Sequence, residues 1–170
     1  MTKLPIFTAP QTKASEGFRW FVYGSTLDFD AFASWCAQHG YALPNLAAAK
    51  PARLPGWRMA FNVRSNFWGG VVASLVEESA GVVEGVVIPL AAESLGFVRH
   101  KEGVVSGLFE ERAAKCEVGG ETLECKVFVA NPARTVSEEA PAPRFLATIV
   151  KGARDRGLSA EWIAALEKRA

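Results

Sequence analysis

A chain of 170 residues, 49% of them hydrophobic, is long and apolar enough to bury a core of its own, which excludes a disordered chain. Its formal charge of +1, with no basic block longer than three residues, argues against a nucleic-acid partner and against an anionic membrane surface. Every apolar run is interrupted by Gly, Glu or Pro far short of a membrane span, and residues 1–17 lack the apolar centre of a signal peptide, so the expected location is the cytoplasm.

Residues 1–18 read as an N-terminal leader and residues 19–170 as the folded domain. Residues 19–23, rich in aromatic side chains, read as a short strand. The spacing of Phe29, Phe32, Ala33 and Cys36 predicts a helix over 28–38, with Asp28 and Asp30 in its first turn and Gly40 as its stop. Strands are expected over 48–54 and 57–63, joined at Pro55-Gly56, before a loop over 64–69. The β-branched runs 70–77 and 82–89 flank Ser79-Ala80-Gly81, a pattern that predicts a hairpin turn there. A short helix follows from 91 to about 100, then a hairpin of 108–118 and 121–130 turning at Gly119-Gly120. Residues 131–143 are a Pro/Ala/Glu loop. A helix over 144–156 carries Phe145, Leu146, Ile149 and Val150 and stops at Gly157. Ser159 caps a last helix with Glu161 in its first turn. Strands in the middle with helices between and after them predict a single α+β domain. Its sheet is mixed or mainly antiparallel, curled or closed into a small barrel, with flanking helices.

Most familiar chemistries leave no trace. Cys36, Cys116 and Cys125 form no C-x-x-C pair. In the expected hairpin register Cys116 faces Leu123 and Cys125 faces Ala114, which sets the two thiols diagonally, about 7 Å or more apart and too far for a relaxed disulfide. All three read as reduced. There is no G-x-S-x-G, no G-x-G-x-x-G after a strand and no metal-ligand cluster. His39 and His100 both lie near helix ends, where solvated surface explains them.

Two stretches remain. Tyr23-Gly24-Ser25-Thr26-Leu27 lies where a strand hands over to a helix. Consecutive backbone N–H groups in such a turn can hold an anion, and Gly24 permits an unusual backbone shape or a close approach. A plain turn explains the same residues. Glu102 follows the short helix and precedes Gly103, so it faces the negative end of the helix dipole. If Val104 and Val105 also desolvate it, its pKa rises toward neutrality, as suits a general base. A surface glutamate offset by Arg99 and Lys101 is the alternative.

Taken in order, these pieces resemble the gamma-glutamylcyclotransferase family. Tyr23-Gly24-Ser25-Thr26-Leu27 is similar to its Y-G-S-N-L signature, and ARLPGWRMAFN, residues 52–62, to the strand pair after it. WGGVVASLVEESAGVVEGVVIPL resembles its G-G-hydrophobic hairpin, and Lys101-Glu102-Gly103-Val104 the E-G-V segment of its catalytic glutamate. APAPRFLATIVKGARDRGLSAEW is similar to its Pro-rich loop and closing helix. The resemblance implies an intramolecular aminolysis. The α-amino group of a gamma-glutamyl compound attacks its own γ-carbonyl, giving 5-oxoproline and a free amine. Glu102 would be the general acid/base. Val22, Tyr23, Gly24, Ser25, Thr26, Leu27 and Phe145 would bind substrate. No metal and no cofactor is implied, the partner is a small gamma-glutamyl molecule, and there is room for a homodimer. Thr26 stands where the family usually has Asn, and Phe145 where it often has Tyr. Arg64, Asn66, Phe67 and Trp68 form a candidate rim loop. The rival expectation is a non-catalytic domain of the same fold that binds a metabolite or a protein.

Overall fold

The computed structural model describes residues 16–170. Of the expected leader, residues 1–15 lie outside the described residues, and Phe18 already belongs to the first strand. The elements, in chain order, are β1 (Phe18–Val22), α1 (Phe29–His39), β2 (Lys50–Ser65), β3 (Gly70–Leu90), α2 (Leu95–Lys101), β4 (Phe109–Val118), β5 (Glu121–Ala130), α3 (Pro143–Asp155) and α4 (Ala160–Glu167). The five strands close into a barrel in the order β1-β3-β2-β4-β5. Pairing is antiparallel throughout except at the seam, where β1 meets β5 in parallel at Trp20 and Lys126. The expected mixed, mainly antiparallel sheet is thus a closed one.

The core follows from the sequence pattern. Trp20, Phe21 and Val22 are consecutive and all buried, so β1 is covered on both faces. α3 buries Phe145, Leu146, Ile149, Val150 and Ala153, the apolar face expected of a helix that lies on a barrel. Pro143 occupies its first turn, where a missing N–H costs nothing. The β4–β5 hairpin has the expected register, with Cys116 opposite Leu123 and Cys125 opposite Ala114, and all three cysteines are buried and free.

Two expected turns are not turns. β2 runs through Pro55-Gly56 and β3 runs through Ser79-Ala80-Gly81, so the pair forms one long hairpin reversing at residues 66–69. The register slips from Pro55 opposite Val82 to Trp57 opposite Glu77, and the surplus β3 residues bulge outward, with 77–80 exposed. Gly81 serves close approach: a Cβ there would overlap the carbonyl of Trp57. A glycine that reads as a turn in one dimension is a bulge in three.

The loop after β5 is tied down along the barrel. Val136 N–H donates to Asn62 O at 2.8 Å and Ala142 N–H to Val71 O at 2.9 Å. Those bonds fix where α3 begins.

Candidate active site

A cavity of about 200 Å³ is lined by Val22, Tyr23, Gly24, Ser25 and Thr26, by Ser65 and Trp68, by Val72 and Ala73, by residues 101–103, by Leu108 and Phe109, and by Phe145. The structure therefore brings Glu102, the turn after β1 and the first turn of α3 to one place. Leu27 is set apart from them: its side chain is fully buried beneath the turn and does not line the cavity.

Glu102 is the C-cap of α2, and a left-handed glycine holds it there. Its N–H donates to Val98 O at 2.9 Å. Gly103 has φ +74°, its N–H reaches His100 O at 3.2 Å, and Val104 N–H reaches Arg99 O at 2.9 Å. This is a Schellman closure, and it needs a residue without a Cβ at position 103.

Burial pushes the Glu102 carboxyl up to about 6, against the attraction of the Lys101 ammonium and of the Trp20 indole N–H. No cation among the described residues lies within ion-pair distance of it. The buried Trp20 Nε1–H has no acceptor within hydrogen-bond geometry, so it is a donor with unused capacity beside the carboxylate. Val105 does not desolvate it as expected, being 78% exposed, whereas Val104 is partly buried against the core; the barrel residues around the cavity enclose the carboxyl. Arg99 does not offset the charge either, because it is paired with Glu111 at 2.7 Å.

The turn after β1 is rigid on three sides. Tyr23 is buried and its hydroxyl donates to Phe128 O on β5 at 2.6 Å; burial and the nearby Glu102 charge hold its pKa well above the usual range. Residues 25–27 form one 3-10 turn, with Leu27 N–H to Gly24 O at 3.0 Å and Asp28 N–H to Ser25 O at 3.1 Å. Such a turn leaves its first N–H groups, those of Ser25 and Thr26, without partners inside it. Asp28 then caps α1, accepting from Asp30 N–H at 3.1 Å and Ala31 N–H at 3.3 Å, and also takes Lys151 Nζ of α3 at 3.1 Å. Gly152 lies against the Leu27–Asp28 backbone so closely that a Cβ would overlap it.

Gly24 has φ −106° and ψ −145°, outside the helical and extended regions, and a Cβ there would meet only Phe145 Cζ, at an ordinary 3.8 Å. What its bare Cα provides is room in the cavity for a close approach from outside.

Phe145 both packs and faces the cavity. Its ring makes edge contacts with Phe61 and Trp68, at 6.5 and 5.4 Å between centroids. From the expected rim loop, Trp68 lines the cavity, joined by Ser65, whose hydroxyl accepts the Trp68 N–H at 3.3 Å. Arg64 instead pairs with Glu139 at 2.7 Å, and Asn66 does not line it. Sequence reasoning had missed Lys101, Ser65 and Trp20 as parts of this site. Lys101 had a signal in its place beside Glu102, whereas Trp20 had none, because its nearness to residue 102 is made by barrel closure.

The model of the AIG2-like family matches residues 82–166, half of the chain. Gamma-glutamylcyclotransferase of Homo sapiens is 28% identical over 155 residues, 86% of this chain and 76% of the human protein. Gamma-glutamylcyclotransferase of Bos taurus is 26% identical over 158 residues, 89% of this chain and 78% of the bovine protein. A solved structure named gamma-glutamyl cyclotransferase, 24% identical, shares the fold with a TM-score of 0.75 over 89% of this chain and 87% of its own.

Proposed function

The chain belongs to the AIG2-like family, and from that membership and the geometry above we propose that it converts a gamma-glutamyl amide or amino acid to 5-oxoproline and a free amine. The α-amino nitrogen of the substrate attacks its γ-carbonyl carbon. A new N–C bond closes the five-membered ring, and the amide C–N bond to the leaving amine breaks. Two protons leave the substrate nitrogen as the α-ammonium becomes the lactam N–H; Glu102 takes each in turn and hands it to the departing nitrogen, which leaves as an ammonium ion, so the step needs no outside acid or base.

A carboxyl poised at about 6 can serve in both directions near neutral pH. The free N–H groups of Ser25 and Thr26 supply donors for a substrate oxygen, the developing oxyanion foremost. The walls from Val22 to Thr26 and from Phe145 fold the substrate so that amine and carbonyl meet, the advantage of a pre-arranged intramolecular reaction. Because the nucleophile belongs to the substrate, the protein needs no serine or cysteine of its own. Thr26 and Phe145 supply neither the amide nor the phenol that the family signature often carries there, which points to a specificity of this chain's own.

The single observation that carries this reading is an unpaired carboxylate of raised pKa in the same cavity as unused backbone donors. The test is release of 5-oxoproline by the purified protein from a panel of gamma-glutamyl amino acids and amines. No release from any member of the panel overturns the proposal.

A further inference from the structure

A second cavity, about 710 Å³, adjoins the first, and Ser25, Thr26, Trp68 and Lys101 line both. The first, at about 200 Å³, has the volume of about seven waters, room for one amino-acid-sized group. A glutamyl group that fills it with its scissile bond beside Glu102 can send the leaving amine out past Lys101, which lines both cavities.

The chemistry of that outer space is one-sided. Lys101, Arg144 and His39 line it together with the rings of Trp35, Phe67 and Trp68, and among the described residues no Asp or Glu does. Arg53, Arg58, Arg64, Arg99, Arg112 and Arg154 each pair with a carboxylate, whereas Lys101 and Arg144 take part in none of the described ion pairs. Their heads lie instead over indole rings, Lys101 Nζ 5.3 Å from Trp35 and the Arg144 guanidinium 5.6 Å from Trp68. Phe67 leaves 73% of its surface open to solvent. Each cation also stands one residue before a side chain of the inner cavity, Glu102 and Phe145, so its backbone is held by the same framework.

We propose, resting on the function inferred above, that this outer cavity is the leaving-amine subsite, and that Lys101 and Arg144 make the chain select amines bearing a carboxylate on an aromatic body. Two cations outside any described ion pair attract an anionic leaving group and repel a cationic one, and the open rings give its apolar part a surface.

The test compares kcat/KM for gamma-glutamyl-phenylalanine, its carboxamide and gamma-glutamyl-putrescine. The acid should exceed its neutral amide by about 10–100-fold, the worth of one charge-assisted hydrogen bond, and exceed the cationic putrescine compound by more. Arg144→Gln and Lys101→Gln should each shrink the acid-to-amide ratio by about tenfold, chiefly through KM. Arg144→Glu should move preference toward the putrescine compound. Equal turnover of acid and amide by the wild type overturns the subsite, as does a ratio unmoved in both glutamine variants. If none of the three compounds yields 5-oxoproline, the underlying reaction falls and the subsite with it, an outcome distinct from turnover without discrimination.

Discussion

Two of the hollows that α3 lines are opposite in character. On one side Phe145 faces the cavity of Glu102; on the other Leu146, Val150, Lys151 and Arg154 line a groove of about 580 Å³ that reaches Glu167 and Ala170 of the C-terminal segment. The groove is nearly three times larger, yet its charges are mutually satisfied. Lys151 pairs with Asp155 at 2.9 Å, and Arg154 pairs with Glu167. The cavity is smaller, and no ion pair satisfies its carboxylate, while the Trp20 indole N–H near that carboxylate has no acceptor in hydrogen-bond geometry. A buried group without a partner lowers stability, so its presence marks a place held for something other than stability. Volume marks only where a chain happens not to fill space.

Four measurements bear on this contrast. The largest effect is expected from Glu102→Gln, which keeps shape and removes the base: 5-oxoproline turnover should fall by about 10²–10⁴-fold while the fold survives. Near-normal turnover in that variant would end the contrast between the two hollows. Next is Gly152→Ala, whose new methyl overlaps the Leu27–Asp28 backbone. Overpacking there should cost about 1–3 kcal/mol in urea unfolding and raise KM by displacing the turn that carries Ser25 and Thr26. An unchanged KM would show the turn to be placed by β1 alone.

The third concerns pH. Glu102 titrates higher folded than unfolded, so the native state binds the extra proton between about 4.5 and about 6. Stability from this group is therefore lost as pH rises through that window. Glu102→Gln should be more stable than wild type at pH 7 by up to about 2 kcal/mol, with the difference fading below about pH 4.5. Activity runs the other way, with kcat/KM falling as pH drops through about 6 because the base protonates. An activity profile flat from pH 5 to 7 would remove Glu102 from the proton path. The smallest effect belongs to the groove: Arg154→Gln breaks an exposed pair and should cost less than about 1 kcal/mol, with turnover unchanged.

Much of this was legible in the sequence wherever the controlling contacts are local. Ser159 as a helix cap, Gly40 as the stop of α1, the Gly119-Gly120 hairpin and the place of Glu102 before Gly103 are decided within a few residues. The misreadings share the opposite cause. Ser79-Ala80-Gly81 has turn composition, but its glycine answers to Trp57, a residue of another strand. Val105 is apolar and adjacent to the site, yet it points to solvent, and the desolvation of Glu102 falls to residues of the barrel wall. The orphan N–H of Trp20 and the unpaired state of Lys101 are properties of what surrounds them, which spacing along the chain does not encode.

The parallel seam between β1 and β5 has a consequence for how the chain matures. Trp20 meets Lys126, and the Tyr23 hydroxyl bonds a carbonyl 105 residues away. Closing so long a loop is entropically expensive and slow relative to the β2 and β3 hairpin, so barrel closure is expected to be the late event in folding. The walls of the Glu102 cavity come from β1, β2, β3, α2, β4 and α3, so the cavity is expected to be complete only once the barrel has closed. Until the seam shuts, β1 and β5 each offer a bare edge to any neighbouring strand, and the hazard of aggregation is confined to that interval. Hydrogen exchange during refolding should accordingly protect the amides of β2 and β3 before those at the seam, and the capacity to form 5-oxoproline should return with the second phase.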